Sequence, residues 1–491
     1  MSGVRVEAVA DVRSEPIASL KHGPRQPRSP FAWVPVLFLI LVLVAGGGGS
    51  PSPLPELAIE LATAVTLVLW WWDAGRLGLA SRPRATGWLA VLVIGLVAAL
   101  PALQLVPLPP GVWTSLSGRA DLAAALQLAG ADKDWFPWSV APSLTLSALL
   151  SLGPPLLLLA MAAAASGHAI RILLWTVVAV ELCAAFLGVL QLASGGTEFH
   201  LYSATHVGWI TGFHANRNAA ADAFLLVMLL SGLLFTMERR ADAADGRRRA
   251  SRHLKRLSVG LVLANAIFLT ATILTGSRTG IILLVPVLAM QAAIVLPGMG
   301  GLSSKRALML AGALTLVVVA GIVMIRLNPV TDKIVGRFMS VGGESRPELW
   351  EDTRFAIAQY WPFGSGLGTF VRAILPAERL EIIDPAFPNR AHNDFLELAV
   401  EGGVFGLAIA GIVALLLAWG FIRTWRSGYR ERAITGLAML VIIGLHSIVD
   451  YPLRNMAIAT LAGAAAGFLC GPQARVQRAP AKIGVVGGRR E

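Results

Sequence analysis

The chain has 491 residues, 55% of them hydrophobic and only 14% charged. Its apolar residues gather in long uninterrupted runs, which excludes a soluble globular fold and points to an all-α polytopic membrane protein. The formal charge of +12 does not read as a nucleic-acid surface, because basic residues concentrate in short loops such as 238–256, ERRADAADGRRRASRHLKR, where they report membrane orientation.

Runs of spanning length are predicted at 31–46, 55–73, 86–106, 143–165, 172–193, 219–237, 257–274, 279–297, 307–326, 396–422, 433–449 and 455–471, twelve in all. With the N-terminus inside, the inner segments carry 28 of the 41 Lys and Arg residues, so both termini are expected in the cytoplasm. The plan is then a disordered cytoplasmic N-terminus at 1–30, spans one to nine over 31–326, a large outer loop at 327–395, spans ten to twelve over 396–471 and a basic cytoplasmic tail at 472–491. The short first run, followed by GGGGSPSP, also fits a cleaved signal sequence. Cys183 and Cys470 fall at different depths, so no disulfide or metal site is expected of them.

The first three spans read as scaffold, with Glu56 and Glu60 their main polar groups. The outer loop at 107–142 opens with PLPPGVW and nears its end with WFPWS, a pattern of interfacial anchoring. Glu181, near the middle of the fifth span, is either a functional carboxylate or a protonated one hydrogen-bonded between helices. GFHANRNAAA at 212–221 leads from outside into the sixth span; its Arg217, between Asn216 and Asn218, either snorkels to headgroups or offers a guanidinium fork to phosphate oxygens at a helix N-terminus. TGSRTG at 275–280 is a tight outer turn that puts Arg278 on the same membrane face.

Within the large loop, Ser345 and Glu348 fit a capping box for an amphipathic helix. Its apolar face includes Leu349, Trp350, Ala356 and Tyr360, and Glu351, Asp352 and Arg354 mark a polar face, so it is expected to lie on the membrane or over a cavity. PFGSGLGTF follows, its glycines read as loop flexibility because the strand of a dinucleotide fold is missing. In RAHNDFLELAVEGG, 390–403, Asp394 and Glu397 fit a second capping box, so His392 and Asn393 are predicted to precede the first turn of the tenth span, where the helix's positive end favours an anion. His446 and Asp450, four apart near the outer end of span eleven, either orient a substrate or pair with each other.

Five stretches, NRN at 216–218, SRTG at 277–280, RPELWEDTRFAIAQYWPFGSGLGTF at 346–370, HNDFLELAVEGGVFG at 392–406 and HSIVDYPL at 446–453, together resemble the O-antigen ligase and polymerase superfamily over roughly 190 to 455. The resemblance implies a GT-C-like membrane domain of ten or more helices with a large periplasmic loop. It also implies transfer of a glycan from a polyprenyl-diphosphate donor to an acceptor hydroxyl outside the inner membrane. By match of motif it gives Arg217 and Arg278 as donor-diphosphate ligands and His392 as the residue acting on the acceptor, with Asn216, Asn218, Asn393, Asp394, His446 and Asp450 in support. The implied partners are the lipid-linked donor, a lipid A core or growing glycan as acceptor, and the bilayer. No cofactor or metal is expected, since two arginines can stabilise a leaving diphosphate. The competing readings are a protein oligosaccharyltransferase and, outside enzymes, a flippase for lipid-linked oligosaccharides.

Overall fold

A computed structural model describes residues 33–48, 53–72, 87–131, 133–195, 197–203, 206–245, 250–299, 346–379, 381 and 388–471. The expected N-terminal segment, the ninth span at 307–326, Ser345 of the first capping box and the tail lie outside them.

The chain folds as helices, in order α1 (Val34–Ala45), α2 (Pro53–Trp72), α3 (Trp88–Gln104), α4 (Pro110–Trp113), α5 (Ala120–Leu128), α6 (Pro142–Ser151), α7 (Gly153–Ala164), α8 (Gly167–Ala193), α9 (Arg217–Asp245), α10 (Ala250–Leu274) and α11 (Arg278–Val295). After the undescribed stretch come α12 (Arg346–Tyr360), α13 (Phe370–Ile374), α14 (Asp394–Arg426), α15 (Arg430–His446) and α16 (Met456–Cys470). The one sheet among the described residues is a two-residue antiparallel ladder, Pro107–Leu108 against Phe136–Pro137. Seven described helices or joined helices are long and apolar enough to cross a membrane, with α1, α3 and α16 shorter but apolar. This is a multi-pass all-α membrane protein. The predicted fourth span is two helices, because Pro154 and Pro155 open α7 without amide hydrogens to continue α6.

Helix α9 is the centre of the bundle: 89% of its apolar window is buried, and it packs on α8, α10, α11 and α15. A polar seam pins it in place, Gln291 Nε2 donating to the Met228 carbonyl at 2.8 Å and Asn265 Nδ2 to Ser231 Oγ at 2.9 Å. Such interhelical bonds act where the hydrophobic effect cannot drive helix association. Helix α16 approaches α7 through glycines spaced by four, since a Cβ at Gly463 would lie 2.1 Å from the Pro155 carbonyl oxygen and one at Gly467 2.5 Å from that of Leu159. Only a small-residue stripe lets the two backbones come so close.

The 107–142 loop does more than anchor at an interface. Trp113 is 1% exposed and donates to the Asp134 carbonyl, while Trp135 is exposed. Arg119 ties the loop inward, donating to the carbonyls of Ser117, Trp138 and Gly364 and stacking 5.5 Å from the Tyr360 ring. Burial lowers its guanidinium to about 10. The signal was an arginine among small residues, which sequence pattern does not separate from a solvated one. Cys183 and Cys470 are both unpaired.

Candidate active site

Four segments meet at one end of the bundle: the first turns of α9, α11 and α14, and the link 447–455 between α15 and α16. At α9, Asn216 Oδ1 accepts from the Asn218 amide at 2.8 Å, closing the turn that starts the helix. Arg217 is buried, its guanidinium 5.0 Å from the Trp209 ring centroid. At α11, Ser277 caps the helix by accepting from the Gly280 amide at 3.2 Å. Gly276, at φ +62°, presses on the other arginine's support, for a Cβ there would lie 2.2 Å from the Trp209 ring. A Cβ on Gly280 would lie 2.6 Å from that of Ala221. Arg217 and Arg278 therefore begin two helices whose first turns touch, with Trp209 as a shared wall.

His392 lies in the loop just before α14 with its backbone in the left-handed region, φ +49°. Its Nδ1 is 3.0 Å from Asp450 Oδ1, and its side chain keeps 31% exposure. Tyr451 packs edge-on against the imidazole at 4.9 Å, and the Tyr451 hydroxyl accepts from Asn216 Nδ2 at 3.2 Å. Asn218 Nδ2 donates to the second Asp450 oxygen. Asp450 thus joins the histidine to the arginine-bearing turn of α9. Burial alone would raise the Asp450 carboxyl, but the His392 hydrogen bond, the His446 charge and the Asn218 bond outweigh it and hold it below the ordinary carboxylate range.

The loop around His392 is fixed on both sides. The Ala391 amide donates to Glu397 Oε2 at 3.1 Å, and Trp350 Nε1 of α12 donates to the Ala391 carbonyl at 3.0 Å. The amphipathic helix α12 is thereby docked on the site, with Ala356, Tyr360, Ala391 and Val400 in one apolar cluster. Asp352, assigned by periodicity to its polar face, is 3% exposed and bonded to Arg379 Nε at 2.7 Å.

Two capping expectations change. The N-cap of α14 is Asn393, whose Oδ1 accepts from the Phe395 and Leu396 amides, both at 3.0 Å. Asp394 turns inward instead, accepting from Ser447 Oγ at 2.8 Å and the Leu453 amide at 3.2 Å. Both residue types cap well, and the pairing with Ser447 across the bundle decides between them. Glu397, with Glu401 one turn on, binds Arg454: Nε is 3.3 Å from Glu397 Oε1 and Nη2 2.8 Å from Glu401 Oε2. Arg390 reaches Glu397 at 2.9 Å. Asp394 Oδ1 stands 3.7 Å from Arg454 Nε, an electrostatic contact too long for a hydrogen bond. Arg454, drawn upward by these carboxylates against the burial that lowers it, was not foreseen. Its trace in the sequence is the spacing of Asp394, Glu397 and Glu401, three acids on one helical face.

The glycines of PFGSGLGTF are not there for flexibility. Gly364, Gly366 and Gly368 all have positive φ, and the strap they form bonds into a break in α14. The Ser365 amide donates to the Val400 carbonyl, the Gly366 amide to that of Glu401, and the Val404 amide to that of Pro362, each at 2.9 Å. At the break Gly403 has φ +56° and ψ −148°, and a Cβ there would lie 2.0 Å from the Pro362 oxygen. The kink has an identifiable cause, a strap replacing helical hydrogen bonds.

His446 and Asp450 do not pair with each other. His446 Nδ1 lies 2.6 Å from Asp222 Oδ1. Asn218 and Asp222 on α9, four apart, face Asp450 and His446, also four apart, giving two rungs between the segments. Asp222 was missed, although a lone acid as the fourth residue of the apolar run that starts at Ala219 is a signal in itself. Glu181 is 1% exposed with Oε2 unpaired, in the interior of α8 and not among the residues gathered at this end.

Residues 263–410 match the family model described as O-antigen ligase. The match takes in Arg278 and His392, while Arg217 and the 446–454 segment lie outside it. No curated protein matches the chain.

Proposed function

We propose, on the support of the 263–410 match to the O-antigen ligase family model, that the protein transfers a glycan from a polyprenyl-diphosphate donor to an acceptor hydroxyl at the periplasmic face of the inner membrane. The acceptor is a lipid A core or a growing surface polysaccharide. The observation that carries this reading is the junction of a His392–Asp450 pair with two helix starts bearing Arg217 and Arg278.

No nucleoside triphosphate is needed, since the diphosphate is already a leaving group. In the proposed step the acceptor oxygen attacks the anomeric carbon while the bond from that carbon to the diphosphate breaks. The acceptor proton passes to His392 Nε2, and the bonding electrons leave with the lipid diphosphate. Asp450 accepts from Nδ1, which fixes the tautomer that leaves Nε2 basic. Arg217 and Arg278 take the growing negative charge, aided by the positive ends of α9 and α11, so the step is metal-independent. Attack opposite the leaving group inverts the anomeric configuration. General-base help of this kind contributes about 10² to 10⁴ in rate.

The test uses purified full-length protein in proteoliposomes with a polyprenyl-diphosphate oligosaccharide and an acceptor glycolipid. New glycosidic bonds that form in the presence of a chelator and vanish in His392→Ala are expected. Translocation without bond formation would instead mean a flippase, and a glycosylated protein product would mean an oligosaccharyltransferase. Normal transfer by His392→Ala would remove the base assignment.

A further inference from the structure

Both arginine-bearing turns meet the side chain of Trp209, which is 5% exposed. Its mount belongs to neither turn. Gln191 of α8, 0% exposed, accepts from the Thr211 and Gly212 amides through Oε1, each at 3.0 Å, and donates from Nε2 to the Gly212 carbonyl at 3.0 Å. On the same helix, a Cβ at Gly188 would lie 2.4 Å from Ile210 Cγ2. The segment 210–212 is thereby seated on α8, a helix that carries no residue of the proposed step. Trp209 adjoins this seat, and its indole makes two contacts beyond it. The Arg217 guanidinium lies 5.0 Å from the ring centroid. The Gly276 backbone lies against the six-membered ring, where a Cβ would stand 2.2 Å from Cζ3, 2.5 Å from Cε3 and 2.8 Å from Cη2.

We propose that Trp209 is a positioning residue for the donor diphosphate: held from α8, its indole carries the Arg217 guanidinium and stops against Gly276, and so fixes the distance between that guanidinium and the turn that presents Arg278. The proposal rests on Arg217 and Arg278 being the donor ligands. Two cations meant for one diphosphate repel each other until it arrives, so their spacing has to be imposed from outside the pair. A ring face does this without an opposing charge. It attracts the guanidinium through its quadrupole, and the contact takes up none of the N–H donors that phosphate oxygens need. Gly276 belongs to the same device. Its left-handed backbone favours glycine by itself, and the ring excludes a methyl as well.

The test is equilibrium binding of a radiolabelled polyprenyl diphosphate without glycan to the full chain in micelles. Trp209→Leu, which removes the ring face, is expected to weaken binding about 5- to 30-fold, and Trp209→Phe, which keeps one, by less than about threefold. Gly276→Ala is expected to weaken binding with Arg217 untouched, because the methyl displaces the indole. Gly276→Ala/Trp209→Phe regains most of that loss, since phenylalanine lacks the three atoms the methyl would meet. The strain of φ +62° is common to both variants, so only the ring contact separates them. A ring that merely fills space predicts otherwise, with equal losses in Trp209→Phe and Trp209→Leu and a double variant no better than Gly276→Ala. Either of those results, or Trp209→Leu binding as tightly as wild type, overturns the proposal. If Trp209→Leu does not insert, the comparison of Gly276→Ala with the double variant decides alone. A wild type that does not bind the lipid, or an Arg217→Gln variant that binds it unweakened, sinks the donor reading and this proposal with it. Binding that falls in Arg217→Gln but not in Trp209→Leu sinks only this proposal.

Discussion

Changing Asp450 to Asn keeps its size and removes its charge, at the point where His392 and α9 join. Asp450 now accepts two hydrogen bonds, from His392 Nδ1 at 3.0 Å and from Asn218 Nδ2. An amide has one oxygen and one NH₂, so it can serve only one of these donors and sets its own hydrogens against the other. If the oxygen turns to Asn218, the NH₂ faces Nδ1 and reverses the tautomer. A hydrogen bond to a charged group is worth about 1.5–3 kcal/mol, and each 1.36 kcal/mol is tenfold in rate, so loss of the bond alone slows transfer about 10- to 150-fold. Tautomer reversal in the serine-protease triad, where the matching change costs about 10⁴ in kcat, sets the upper end. Initial rates in proteoliposomes should show kcat falling within that range while the KM for donor holds, because the proposed donor ligands Arg217 and Arg278 are untouched. A variant within threefold of wild type at neutral pH would refute the dyad. Stability supplies a second reading. The folded-state carboxyl is held below its ordinary value, so its contribution is present above the unfolded value of about 3.9 and is lost as pH falls through the lower folded value. The gap in unfolding temperature between wild type and variant should therefore close only in strong acid.

Arg454→Ala leaves Glu397 and Glu401, both 0% exposed, without their shared cation. Removing one partner of a buried ion pair costs about 3–5 kcal/mol, so thermal unfolding in detergent should drop sharply, and an unchanged midpoint would show that the arginine is dispensable. Gly403→Ala places a methyl 2.0 Å from the Pro362 oxygen at φ +56°. A side chain at φ +56° and ψ −148°, a combination essentially confined to glycine, alone costs about 1–3 kcal/mol, and relief of the clash requires the strap to leave α14. Limited proteolysis within 362–370 should therefore speed up, and equal protection in variant and wild type would argue against the strap.

The helix starts that carry the site were legible in the sequence. Spans predicted to begin at 219, 279 and 396 begin at Arg217, Arg278 and Asp394, because the change from polar loop to apolar run is local and hydropathy records it. Partner choice was not legible. His446 can meet Asp450 by spacing or Asp222 by packing, and only the approach of α9 to α15 selects the second. The same holds for Asp394 and Asn393, adjacent residues of nearly equal capping strength, separated by a serine fifty-three positions away. PFGSGLGTF misled for a related reason. Positive φ and close backbone approach both call for glycine, and neither can be told from flexibility until the facing chain is known.

A histidine outside any helix can still be held as firmly as one on a helix. The left-handed backbone of His392 costs about 1–2 kcal/mol. Against this, the Ala391 amide and carbonyl, the Asn393 side chain and the Asp394 amide each hold a specific partner, on Glu397, Trp350, Ile448 and Ser447 respectively. At about 1 kcal/mol net apiece these bonds exceed the strain. They also come from three directions: α12 above, α14 behind and the 447–448 link at the side. No single element owns the loop, so the histidine's position reports the packing of all three. A glycan that displaced α12 on binding would act on Ala391 through Trp350, one peptide away from the imidazole. The left-handed residue is then the place where docking of α12 and orientation of the proposed base become one event.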